Sequence, residues 1–322
     1  AHNLAVNTGG LTTFGGAVGG TTALASLTTD AAGSTLLGGN VTTVGSQYYH
    51  DAVTLGGDVT LSSIGSYVEF DSTVDGAHAL TINTPALGTA FLGNVGGTTA
   101  LTSLTLGTGG VTYLFRNVTT SGAQTYGNAV TLLGSSPQTL IGSAVDFAST
   151  LDGAQALTVN ASGATTFGGA VGGTTALTSL TTDAAGTTTL GGNVSTTGAQ
   201  TYTDAVTLGG NAILTSTGGG AIGFGSTVNG AHSLTVDTSG LTTFGGAVGA
   251  TNALTSLTTD AAGGTSLGGN VTTSGTQTYA DAVTLGANAA LTGTTVSLAG
   301  VTGSGNNLTV TGNAVLAGVV SG

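Results

Sequence analysis

Apolar positions along this chain come in short bursts. Segments such as TTFGGAV, TTLGGNV, DAVTL and FGSTV alternate with clusters of Gly, Asn, Asp and Ser. Brief apolar runs bounded by turn residues read as strands. Thr, Val, Leu and Ala dominate, and Gly occurs 60 times in 322 residues. Beta-branched side chains pack well on a pleated surface and lose rotamer freedom in a helix. Each Gly inside a helix would cost about 1 kcal/mol. The pattern predicts an all-β protein.

The bursts repeat at long range. Phe14, Phe91, Phe167 and Phe244 occupy one equivalent position, at spacings of 77, 76 and 77. Tyr49, Tyr126, Tyr202 and Tyr279 give the same spacings, and His2, His78, Gln155 and His232 give 76, 77 and 77. The base period is 76 with two single-residue insertions, one at Pro85 and one within Gly218–Gly220. Both fall on turn signals. An extra residue inside a strand would instead send every later side chain to the opposite face. The copies run over 1–76, 77–153, 154–230 and 231–305, and 306–322 is a partial repeat.

A finer step lies within each copy. Leu157, Leu177, Leu214 and Leu234 each open a Leu-Thr pair, at spacings of 20, 37 and 20, and 76 is four times 19. A parallel β-helix (a solenoid) accounts for this, with about four rungs of roughly 19 residues per repeat and strands stacked about 4.8 Å apart. The whole chain would form one continuous solenoid of about 16 or 17 rungs, roughly 80 Å long. Leu, Val, Ile and Phe would point inward, Thr and Ser outward, and Gly or Asn would turn the corners. A tandem array of β-sandwich domains, one per repeat, is the alternative, but it leaves the 19-residue step without a cause.

The phrases LTVNASGATTFGGAVGG, TTLGGNVSTTGAQTY and DAVTLGG resemble repeats of filamentous-haemagglutinin-like bacterial exoproteins and autotransporter-type adhesins. The resemblance covers nearly the whole chain and rests on repeat style. It implies a secreted protein, a right-handed β-helical shaft, and a role in adhesion or extracellular fibres.

Charge narrows the partners. Thirteen acids face a single basic residue, Arg116, for a net charge of −12. Nucleic-acid binding rests on Lys and Arg, so nucleic acid is not an expected partner. Without Cys there is no disulfide framework or thiolate site. No apolar run reaches the roughly 18 residues of a membrane span. The opening AHNLAVNTGG has no initiator Met and no signal pattern, as in a mature product or an excerpt of something longer. The open edges of a β-helix pair with further chains unless capped, and neither end of this sequence carries a charged or helical cap. Self-association into filaments is therefore expected. Thr-rich faces also suit a glycan, an ice surface or another host or abiotic surface.

Candidate chemistry is sparse. Glu69, Asp71 and Asp75 form the densest acid cluster. Two or three carboxylates there could contribute to a Ca²⁺ site, which wants six to eight oxygens, although solvated residues beside a turn explain them as well. Asp30, Asp183 and Asp260 recur, as do Asp51, Asp204 and Asp281, and Asp caps tight turns through its own backbone. His2, His78 and His232 would lie about 19 Å apart, too far to share a metal. The recurring Tyr residues read as core or wall packing. In the second copy TTLGGNV becomes TYLFRNV, so that Phe115 and Arg116 replace a Gly pair. Two large side chains at a crowded corner should project outward, and an exposed aromatic beside the only Arg is a surface-contact candidate. No catalytic residue and no cofactor is nominated. The expectation is a structural extracellular protein, not an enzyme.

Overall fold

Alternation of burial along each short strand sets the architecture. Ser26–Thr29 buries Leu27 and Thr29 and turns Ser26 and Thr28 outward, and Tyr67–Phe70 does the same with Val68 and Phe70 inside. In the computed structural model, which describes residues 1–322, the chain is all-β, has no helix, and coils as a parallel β-solenoid of about 16 turns. The turns gather into two compact units: Ala1–Gln155 with Val159–Ser162, and Ala156–Thr158 with Gly163–Gly322.

The first unit has three faces. One stacks Asn3–Val6, Ser26–Thr29, Gln47–Tyr49, Tyr67–Phe70, Gly88–Phe91, Val111–Leu114, Ala129–Leu132 and Leu151–Asp152 in parallel. The second stacks Leu11–Phe14, Ser34–Leu37, Ala52–Leu55 and Val74–Asp75, and continues through single bridges from Val74 to Val95 and from Val95 to Val118. The third contains Val41–Thr43, Val59–Ser63, Ala79–Asn83, Ser103–Leu106, Ala123–Tyr126 and Ala144–Phe147. In the second unit the same logic stacks Ser179–Thr182, Gln200–Tyr202, Ile222–Phe224, Leu241–Phe244 and Gly264–Leu267.

Turn length is not uniform. Registered partners are separated by as few as 18 residues (Val111 with Ala129) and as many as 24 (Ile82 with Leu106). One copy of the repeat therefore ends slightly short of four turns. Leu4 and Leu80 open equivalent phrases, yet Leu4 sits on Leu27 in the first face while Leu80 lies between Leu61's strand and Leu104 in the third. Each copy is displaced by one face against its predecessor, after about three and two-thirds turns of roughly 21 residues. Tyr49 and Tyr126 consequently fall on different faces and form no row. The two insertions lie between strands: Pro85 follows Ala79–Asn83, and Gly218–Gly220 precedes Ile222–Phe224.

The core is built of columns. Leu27, Leu37, Val41, Leu61, Val68, Leu80 and Ile82 are fully or almost fully buried. Rings stack along the axis: Tyr49 on Phe70 at 5.0 Å, Phe70 on Phe91 at 5.2 Å, and in the second unit Tyr202 on Phe224 at 5.3 Å and Phe224 on Phe244 at 5.2 Å. Offset ring pairs add about 0.5–1.5 kcal/mol each beyond their burial. Corners depend on Gly at one recurrent place. Gly19, Gly96, Gly172 and Gly249 all hold φ between +66° and +71°, and a Cβ on Gly172 would lie 2.1 Å from the Ser195 carbonyl oxygen.

Thr corrects the expected inside-outside rule. Thr29, Thr35, Thr43, Thr182, Thr188 and Thr259 are completely buried. They face inward because buried polar partners need their hydroxyls.

Candidate functional site

Two polar sets recur inside the coil. Asp51, Asp204 and Asp281 do not cap exposed corners: they are only 3–4% exposed. Thr29 and Thr35 donate to Asp51 at 2.7 and 2.8 Å, and Thr259 and Thr265 donate to Asp281 at 2.9 and 2.8 Å. A buried carboxylate needs such donors to offset lost hydration. Burial still prevails at Asp204 and Asp281 and pushes both carboxyls above the usual range, although the Thr hydroxyls pull the other way. In the second copy Leu106 stands where the others have Thr29, Thr182 and Thr259, and Asn128 stands in place of the Asp. Asn128 accepts from Thr112 at 2.9 Å and donates to the Gly109 carbonyl at 3.2 Å. One donor is lost, and the charge is lost with it.

The second set is Gln47, Gln124, Gln200 and Gln277, all fully buried. Each accepts from the Tyr two residues on, at 2.9–3.1 Å. Each also donates to backbone carbonyls, as Gln124 does to Ile141 at 2.7 Å. Sequence reading overlooked these Gln residues, although their recurrence in the QTY phrase was a usable signal.

Asp30, Asp260 and Asp75 do cap turns. Asp30 accepts from the Thr8 amide at 3.1 Å, Asp260 from those of Thr238 and Ala262, and Asp75 from those of Thr98 and Thr99 at 2.8 and 3.0 Å. Asp75 is thus engaged with the following turn, away from Glu69 and Asp71. Asp71 instead pairs with His50 at 2.5 Å, and the His50 ring stacks against Tyr48. No group of three or more His, Asp and Glu is arranged to hold a metal ion.

What remains is an open depression of about 360 Å³ on the outer surface of the first face. Its floor follows from register: Glu69, Ala90 and Tyr113 stand side by side on successive strands. At about 4.8 Å per strand, Glu69 and Tyr113 are roughly 10 Å apart, and the small Ala90 between them leaves a slot. Tyr67 flanks it beside Glu69, and Leu92, Phe115 and Leu133 close the other side. These three follow Phe91, Leu114 and Leu132, which are registered in one column. Burial, the adjoining Asp71 carboxylate and a shared hydrogen bond push the Glu69 carboxyl up, and His50 opposes this.

Every wall of the slot departs from the repeat. Leu92, Phe115 and Leu133 each stand where the other three copies have Gly, and Tyr113 stands where they have Leu36, Thr189 and Ser266. Tyr67 stands where the second and third copies have Ala144 and Ala221, and Glu69 where they have Asp146 and Gly223. The corresponding surface in the second unit is a smaller hollow of about 210 Å³ lined in part by Thr203, Gly223, Gly225, Thr243 and Gly245. Phe115 is half-buried in the wall, while Arg116 is exposed beside it, its guanidinium 3.5 Å from the Phe115 carbonyl. No protein-family model, curated protein or solved structure matches the chain.

Proposed function

We propose that this chain is a structural segment of an extracellular bacterial surface protein: the shaft of an adhesin or of a self-assembling fibre. The observation that carries the reading is the fate of its recurring polar residues. The Asp–Thr and Gln–Tyr sets are buried and bonded to one another or to backbone, so the repeat uses its polar groups to hold turns together. Parallel ladders with internal polar stitching resist extension along many bonds at once, which is the property a shaft needs. The resemblance of the repeats to adhesin exoproteins supports the same reading and an extracellular location.

Antibodies against the chain test the location. They should label intact, unpermeabilised source cells. Labelling only after permeabilisation would end the surface reading. Electron microscopy of the purified chain at micromolar concentration separates the two forms: a fibre subunit associates into filaments, and a shaft segment remains as single particles.

The slot beneath Phe115 favours a second reading, a binding module carried on the shaft. Residues on four successive turns depart from the repeat and meet at one place, whereas drift would scatter them.

A further inference from the structure

We infer that the slot over Ala90 binds an organic cation of the alkylated-ammonium class. The inference goes beyond the shaft reading and does not depend on it. Its basis is the chemistry of the lining. Tyr67, Tyr113 and Phe115 supply aromatic surface, Leu92 and Leu133 supply apolar surface, and Glu69 supplies the carboxylate. An alkylated ammonium has an apolar skin and a delocalised positive charge. It needs ring faces and a nearby anion and makes few hydrogen bonds.

Other occupants fit less well. A calcium ion needs six to eight oxygens, and the lining offers one carboxylate and two phenols. A hydroxyl-rich sugar needs several directional polar partners, and most of the wall is hydrocarbon. An anion meets Glu69 in a chain of net charge −12. A cation gains from both: Asp71 is paired with His50, and Glu69, which shares a hydrogen bond with Asp71, lines the slot. The guest is sandwiched across Ala90, with Glu69 on one side and the Tyr113 and Phe115 rings on the other. A larger side chain at position 90 would fill that space, and the other copies carry Thr13, Thr166 and Thr243 there.

The test uses the full chain and choline, followed by proton NMR of the trimethylammonium signal. Its neutral isostere, 3,3-dimethylbutan-1-ol, is the control. Choline should bind saturably, with its methyl protons shifted upfield by the rings. The isostere should bind at least roughly tenfold more weakly, because the charge contributes on the scale of a cation–π contact. Glu69→Gln should weaken choline by a similar factor. The Tyr113→Thr/Phe115→Gly double variant installs the residues of the third copy and should abolish the shift while circular dichroism stays unchanged. Equal binding of the isostere, a shift that survives the double variant, or no saturable shift at millimolar choline would each overturn the inference. So would a neutral oligosaccharide that perturbs the Tyr113 ring when choline does not.

Discussion

The Thr188 hydroxyl lies 2.9 Å from both carboxylate oxygens of Asp204, and Thr182 adds a contact at 3.1 Å. The arrangement recurs at Asp51 and Asp281. It ties two strands of one turn to a corner of the next through one side chain, and its energetics can be tested.

Removing the principal donor should be costly. Thr188→Val keeps shape and burial but leaves the carboxylate with Thr182 as its one side-chain donor beside a backbone amide. Loss of a hydrogen bond to a buried charged group costs about 1.5–3 kcal/mol. Urea unfolding should show that decrease in stability with an unchanged denaturant slope. A change under about 0.5 kcal/mol would show that the pair contributes little.

The same carboxyls set a pH dependence. Native Asp204 and Asp281 titrate above their ordinary value because of burial. The native state therefore holds its protons to higher pH than the unfolded chain, whose Asp groups titrate near about 3.9. Their favourable contribution is complete below that value and is lost as pH rises through the native pKa. Asp204→Asn/Asp281→Asn should remove this part of the slope of stability against pH between about 4 and the native values. An unaltered slope would place the dependence elsewhere.

The second copy supplies the reciprocal experiment. Asn128→Asp would put a charge where Leu106 has replaced one Thr donor and where Gly109 presents a carbonyl oxygen at 3.2 Å. Repulsion from that oxygen and incomplete hydrogen bonding should destabilise the chain by about 2–4 kcal/mol. Adding Leu106→Thr should recover part of the loss. Strict additivity of the two changes in a double-mutant cycle would refute the coupling.

These sets also show what was readable in the sequence. Strand alternation and the position of the two insertions specify a coil, because a parallel stack tolerates extra residues only at its corners. Turn length was less legible. The Leu-Thr step averages over turns of 18 to 24 residues, so the one-face displacement of each copy emerges only from register. The inward role of Asp51 was hidden because Asp at a Gly-rich boundary reads as a turn cap, as Asp30 in fact is. Its two Thr partners lie 22 and 16 residues upstream, distances that acquire meaning only once the coil is closed. Phe115 was visible as a departure from the repeat. Its companions Tyr67, Leu92 and Leu133 were not, since they belong to different turns and meet only across the ladder.

A Gly pair separates corner geometry from mere spacing. Gly172 has φ +67° and would place a Cβ 2.1 Å from the Ser195 carbonyl oxygen, whereas Gly173 would meet only the Ala170 Cβ at 3.4 Å. Gly172→Ala should therefore lose roughly 3 kcal/mol from strain and the forced shift of the next turn. Gly173→Ala should stay within about 1 kcal/mol of the parent chain, in keeping with Ala250 at that place in the fourth copy. Equal effects in thermal unfolding would contradict the corner assignment.

The buried tyrosines make a final prediction, at alkaline pH. Tyr49, Tyr126, Tyr202 and Tyr279 are fully enclosed, and burial lifts all four phenols far above their ordinary value. The unfolded chain releases those protons near pH 10, so above that point it holds fewer protons than the native coil. Stability must then fall as pH rises, with four groups acting together. Phenolate absorbance should show a delayed component that appears only as the coil unfolds, in one cooperative step. Tyr126→Phe should remove about one quarter of that component. It should also cost about 1–2 kcal/mol at neutral pH, because the Gln124 side-chain carbonyl loses the hydroxyl that now donates to it at 2.9 Å. Smooth ionisation of all seven tyrosines before any loss of circular dichroism would show that these rings are not enclosed by the core.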